Sequence, residues 1–273
     1  MTDASGRPLR ASQRALIVVA VLFAAIMLVL PLACVLVTAF RQGVGAYLAA
    51  VTDEYAVKAL GLTLFATVCA VTINTVFGLF AAWMITKFRF RGKKVLTALI
   101  DLPMAVSPVI AGLSFLLMFG RKSPAHPILH AAGIDVVFAV PGIVLATIFV
   151  TFPLVSRSVI PVLDSQGSDE EEAAALMGAG GFRIFRRVTL PHIRWALLYG
   201  VVMCTARAMG EFGAVSVVSG HLRGLTNTLP LHIEILFNEF QYVPAFAVST
   251  ILVVPAIVVL VAKAVLTRRM EVA

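Results

Sequence analysis

The chain has 273 residues, 60% of them hydrophobic and only 13% charged, and its mean hydropathy is +0.98. An average soluble domain is about 25% charged, so this much apolar surface excludes a water-soluble globule and, with it, a soluble enzyme. The net charge of +8 points to topology rather than to nucleic acid, because Lys and Arg in a membrane chain report orientation first.

In chain order, Arg7, Arg10 and Arg14 precede an uncharged run from Ala15 to Phe40. That run is far longer than a signal-peptide core of about 7–15 residues and predicts a retained membrane helix. Ala59 to Ile85 is a second uncharged run, and Val95 to Gly120 a third that holds only Asp101. Ser107-Pro108 interrupts the third, since proline has no N–H for the helical ladder. Freed backbone there either lines a cavity or is accommodated by packing. Val136 to Ser156 is uncharged, Trp195 to Gly220 contains Arg207 and Glu211, and Val243 to Ala262 is uncharged. Each reaches the roughly 20 residues needed to cross the bilayer core. All are too long and uniform for barrel strands of about 10 alternating residues.

The prediction is an all-α integral membrane protein with six transmembrane helices. Its parts are a tail (1–14), a first helix (15–40), a core with five helices (59–266) and a second tail (267–273). No internal repeat supports an inverted-repeat carrier. The three cysteines, Cys34, Cys69 and Cys204, lie in apolar runs, so neither a disulfide framework nor a metal site is expected.

Basic residues concentrate in alternate connections. Arg7, Arg10 and Arg14 sit at the start; Lys87, Arg89, Arg91, Lys93 and Lys94 follow span 2. Arg157, Arg183, Arg186, Arg187 and Arg194 follow span 4, and Lys263, Arg268 and Arg269 end the chain. By the positive-inside rule both termini and the two basic loops are cytoplasmic. The 87–94 run could also attract anionic lipid.

The 157–194 loop is not a passive connector. Its segment from Glu170 to Met177 favours helix, with acids suited to a helix N-terminus. Ser168 is a candidate N-cap with Glu171 as its capping-box partner. Gly178 to Gly181 breaks the helix, Phe182 to Val188 is a basic amphipathic turn or two, and Leu190-Pro191 opens a new element. Within this loop, Glu172-Ala173-Ala174, Gly178, and Val188-x-Leu190-Pro191 fall at fixed intervals.

That spacing resembles the EAA loop of permease subunits of binding-protein-dependent, type I ABC importers, with Val188 where the family has isoleucine. The resemblance implies coupling helices that dock into a separate ATPase. Glu171, Glu172, Ala173, Ala174, Gly178, Val188, Leu190 and Pro191 become the coupling candidates. The chain itself lacks a phosphate-cradling loop: Gly92-Lys93-Lys94 has neither the first glycine nor the hydroxyl residue.

Three softer strings narrow the resemblance: GEFG at 210–213, Asp101 to Leu113, and Thr226 to Phe240. They look like the W-type permeases of sulfate/thiosulfate importers in the bacterial inner membrane. The implied partners are a T-type permease, an ABC ATPase dimer that uses ATP and Mg, and a periplasmic sulfate/thiosulfate-binding protein. No cofactor is expected on this chain, no catalytic residue, and no nucleic acid. A molybdate permease is the alternative within the class; a proton-coupled anion carrier or channel is the alternative outside it.

Arg207 and Glu211 are four apart and can pair on one helix face. Charges inside a span are costly and normally face a bundle interior or a watery path. The pair either lends positive potential to an anion pathway or ties two helices together. Ala206, Gly210 and Ala214 form a small-residue stripe that favours close packing. Asn74, Ser107 and Pro108 complete the pathway candidates. His126 and His130 have metal-like spacing, but Pro127 between them favours a solvated outer loop. Leu231 to Phe240 reads as a short amphipathic helix at the outer surface.

Overall fold

The computed structural model describes residues 11–272, and every regular element among them is helical. Residues 1–10 of the expected first tail, and Ala273, lie outside the described residues. The chain begins with α1 (Ala11–Ala39), the short α2 (Gly43–Val51) and the long α3 (Glu54–Lys87). The Asp53 side chain starts α3 by accepting from the Tyr55 and Ala56 amides, which meets donors that have no intrahelical partner. Four described stretches are long and apolar enough to cross a bilayer: Ala15–Ala39, Glu54–Lys87, Val140–Gln166 and Tyr242–Thr267.

The expected third span is not one helix. It is α4 (Lys93–Ala105) and α5 (Pro108–Phe119), bent by 109°. Pro108 cannot donate to the ladder, and it drives Ser107 before it out of the helical region. Val106 and Ser107 are extended, with ψ of 136° and 133°. The short α6 (His126–Ala131) follows, with the His126 and His130 rings stacked at 5.4 Å and His130 beside Asp135 at 3.5 Å.

The fourth span runs further than expected. α7 (Val140–Thr151) continues almost directly into α8 (Pro153–Gln166), so Arg157 lies on a helix and not in a loop. There it pairs with Asp101 of α4 at 2.7 Å. After α8 come α9 (Asp169–Leu176), α10 (Gly181–Ile184), a π-turn (Phe185–Thr189) and α11 (Leu190–Met209).

The fifth expected span is also divided. α11 stops at Met209 and α12 covers only Gly213–Val218. The stripe Ala206, Gly210, Ala214 therefore does not lie on one helix; Gly210 ends the first. The chain closes with α13 (Leu229–Asn238) and α14 (Tyr242–Val272). α13 is more buried than a surface helix, with Leu229, Leu231, His232 and Leu236 inside. Burial holds the His232 imidazole below its usual range, with Arg223 acting the same way and Asp53 and Glu239 opposing.

Small residues set how the core assembles. The buried face of α3 is Ala56, Ala59, Thr63, Ala66, Thr67, Ala70, Asn74, Gly78, Ala82 and Ile85. Apart from the adjacent Ala66 and Thr67, these are three- and four-residue steps that make one helical stripe, and small side chains let backbones approach where lipid offers no hydrophobic drive. Val155 of α8 uses this twice. A Cβ at Gly78 would lie 3.0 Å from the Val155 Cβ, and a Cβ at Gly200 of α11 would lie 3.1 Å from the Val155 Cα. One valine is thus seated between two glycines, locking α3, α8 and α11 together. Farther along α3, the Thr63 hydroxyl accepts from the Leu229 amide at 2.7 Å, which fastens the start of α13.

Gly200→Val should therefore destabilise the bundle by about 1–3 kcal/mol, the usual range for overpacking. Gly61→Ala, at a position where a Cβ meets nothing within 4 Å, should not. Thermal unfolding of the detergent-solubilised complex checks this, with a clear fall in Tm expected for the first variant alone.

Candidate functional site

The loop between α8 and α11 folds by local rules. Gly167, with φ of +71°, releases the chain from α8. α9 then carries Asp169, Glu170, Glu171 and Glu172 in its first turn, where each acid interacts favourably with the helix dipole. At its other end the Ala179 amide donates to the Ala174 carbonyl (3.0 Å) and the Gly178 amide to that of Ala175 (2.9 Å). This paired closure puts Gly178 in the left-handed region, φ +81°, where a Cβ is strained. Past it, α10 and the π-turn carry Arg183, Arg186 and Arg187.

The expected capping box does not form. The Ser168 hydroxyl instead donates to Glu172 Oε1 at 2.7 Å. Glu171 turns the opposite way, toward the bundle, where its carboxylate meets Lys87 Nζ at 3.0 Å and accepts from the Thr189 hydroxyl at 2.5 Å. Lys87 also donates to the Gly167 carbonyl. The Lys87 and Glu171 side chains are only 11% and 14% exposed. A charge-assisted bond in such a place outweighs a capping bond. One joint therefore ties the end of α3, the hinge at Gly167, α9 and the root of α11.

The remaining coupling candidates divide by exposure. Glu172, Ala173, Gly178 and Pro191 are exposed, Val188 and Leu190 are half-buried, and Ala174 is buried against the bundle. Three residues outside the motif positions stand out. Leu176, Met177 and Phe182 are 90%, 82% and 79% exposed. They stand on either side of the Gly178 turn, and large apolar side chains in a loop this polar were the signal for them.

The second cluster lies where the two broken helices meet. A Cβ at Gly213 would be 3.0 Å from the Pro108 Cβ, and one at Gly112 would be 2.7 Å from the Ala214 carbonyl oxygen. The break at Ser107-Pro108 and the break after Met209 are thus packed together. Arg207 and Glu211 pair at 2.7 Å as their spacing predicts, although Glu211 sits in the break and not on α11. Its other oxygen accepts from the Ala214 amide at 2.9 Å, so the buried carboxylate caps α12. Arg207 keeps 41% of its side chain exposed; Ser107 is exposed and Pro108 half-buried.

Asn74 stands apart from this face. It is fully buried, and its amide donates to Thr151 Oγ1 (2.8 Å) and the Ile148 carbonyl (3.1 Å). Its position joins α3 to α7.

The described chain is thus a bundle of apolar, partly divided helices that carries an acidic-then-basic helical loop with a glycine turn. The chain belongs to the family of binding-protein-dependent transport system inner membrane components, whose model matches residues 74–272. It is 46% identical over 265 residues to the sulfate transport system permease protein CysW of Escherichia coli (strain K12), covering 97% of this chain and 91% of that one. It is 35% identical over 239 residues to the sulfate transport system permease protein CysT of Salmonella typhimurium, covering 88% and 86%. Its fold matches a bacterial ABC transporter involved in import of the acidic polysaccharide alginate, with a TM-score of 0.78 at 18% identity over 93% and 94% of the two chains.

Breaking the joint has a defined signature. Lys87→Met or Glu171→Gln leaves a nearly buried charge or polar group unpaired and should cost about 1–3 kcal/mol. The loss should be local: faster amide exchange across 167–190, with α3 amides near Asn74 unchanged. The swapped pair Lys87→Glu with Glu171→Lys should restore part of the protection, and hydrogen-exchange mass spectrometry measures all three.

Proposed function

We propose that this chain is one of two membrane subunits of an ATP-driven sulfate/thiosulfate importer of the bacterial cytoplasmic membrane. The observation that carries this is the 46% identity to a sulfate permease along almost the whole of both chains. The chain is less similar to the CysT permease, so a T-type chain is the expected second membrane subunit. A periplasmic sulfate/thiosulfate-binding protein would deliver the anion. A separate ATPase dimer would use ATP and Mg, since this chain has no phosphate loop.

In this reading there are six crossings: α1, α3, α4–α5, α7–α8, α11–α12 and α14. Both termini, the 87–94 segment and the coupling loop are cytoplasmic, a placement that the Lys and Arg distribution supports. The exposed apolar residues beside the Gly178 turn, with Glu172 next to them, form the surface that docks on the ATPase. Glu171 acts differently from Glu172: through Lys87 and Thr189 it carries displacement of that surface into α3 and α11. The bundle alternates between two sealed states, and each ligand biases the equilibrium by its preference for one of them.

Arg207 is the anion-facing group of this reading. A half-exposed guanidinium at a helix break is expensive in a membrane unless it faces water or a charged ligand. Glu211 holds it in place and is itself held by the Ala214 amide. Ser107 and Pro108 contribute freed backbone on the facing segment.

Uptake of labelled sulfate and labelled molybdate, in cells lacking this chain and with it restored, tests the assignment. Loss and recovery of ATP-dependent sulfate uptake is expected. Recovery of molybdate uptake alone would overturn the substrate. Arg207→Ala should reduce sulfate flux at least about tenfold per assembled complex, whereas flux that simply follows the amount of complex would make the pair structural.

A further inference from the structure

A groove of about 710 Å³ lies between the last turns of α3 and the start of α4. Its walls are aromatic and aliphatic, among them Phe77, Phe80, Trp83, Phe88, Phe90 and Leu99. The chain leaves α3 extended at Phe88, with φ −112° and ψ 144°. Phe88 and Phe90 line the groove, and Arg89 and Arg91 are exposed beside them. The first turn of α4 then holds Lys93 and Lys94 and no acid, at the end of a helix that is already the positive one.

Among the described residues, Arg89, Arg91, Lys93 and Lys94 take part in none of the ion pairs. The neighbouring acids are occupied: Glu171 by Lys87 and Asp101 by Arg157. An apolar trough whose wall between Phe88 and Leu96 carries four unoffset cations matches an amphiphile with a hydrocarbon tail and an anionic head. A neighbouring protein helix would instead have to bring its own carboxylates to that rim.

We propose that this groove seats an anionic glycerophospholipid. Its acyl chain lies along Phe77, Phe80, Trp83 and Leu99, and its phosphate is held by Arg89, Arg91 and Lys93. The inference uses only one element of the functional reading, that this end of α3 lies at the membrane surface, and it does not depend on the substrate. It has a consequence for coupling. Trp83 packs edge-on against Phe88 at 5.1 Å and against Phe185 of the π-turn at 6.3 Å. The lipid would therefore share a wall with the coupling loop.

The test uses the full complex in nanodiscs. Trp83 emission is read as the difference between wild type and Trp83→Phe, with brominated-acyl phosphatidylglycerol or brominated-acyl phosphatidylcholine at equal mole fraction. Quenching by the glycerol lipid should be at least about twofold stronger. That excess should vanish in the variant Arg89→Gln, Arg91→Gln, Lys93→Gln, which keeps Lys87 and Lys94 for orientation. Native mass spectrometry of wild type and the Gln variant is the second measurement, with one phosphatidylglycerol fewer expected per copy of the variant chain. Equal quenching by both lipids, or equal retention by both proteins, would overturn the anionic site. No quenching by either lipid would mean that protein covers the groove, which also overturns it.

Discussion

Lys87 is the last residue of α3, and Glu171 is the third residue of α9, more than eighty positions later. Their ion pair, with the Thr189 hydroxyl on the same carboxylate, decides where the α8–α11 loop sits relative to the bundle. Without it, α9 hangs from two glycine-flanked connections. With it, α9 and the π-turn are anchored to α3 and α11. Near-burial makes the pair stiff, because an unpaired charge in that position is costly. The exposed surface beside Gly178 is therefore fastened to the membrane helices and is not a free loop. That is the mechanical property a coupling element needs.

The bilayer sets the other constraint. Backbone freed from a helix inside a membrane is tolerated only where protein buries it or water reaches it. The two breaks, after Ala105 and after Met209, meet this condition by packing on each other, with Gly213 against Pro108. Glu211 supplies the acceptor that the α12 N-terminus lacks, and Arg207 balances the charge that this brings. One carboxylate does both the capping and the pairing. The guanidinium is left partly free on the same face. Pairing and anion recognition are thus compatible roles for Arg207.

What could be read from the sequence follows the range of the physics involved. The glycine turn, the acidic first turn of α9 and the proline break in the third span are local signals, and all are seen in the structure. The orientation of Glu171 depends on Lys87, far away in sequence, so spacing assigned it to a capping box and grouped it with Glu172. The break after Met209 carries no proline; Gly210 was read as a packing residue because helix continuation is the default in an apolar run. The extension of α8 past Ser156 was hidden by Arg157, whose charge suggested a loop end, although Asp101 neutralises it. Leu176, Met177 and Phe182 lie outside the spaced motif, and their exposure follows only from how the Gly178 turn folds.

In the proposed coupling, the Gly178 turn is where this chain meets the ATPase. Met177→Cys, at a position 82% exposed, places a thiol beside that turn. Site-directed crosslinking in the assembled complex, with a short bifunctional reagent and with and without ATP, tests the claim directly. The account predicts a crosslink to the ATPase subunit whose yield changes with nucleotide, while a cysteine at exposed Ile128 of α6 gives none. Crosslinking from Ile128→Cys and none from Met177→Cys would contradict it.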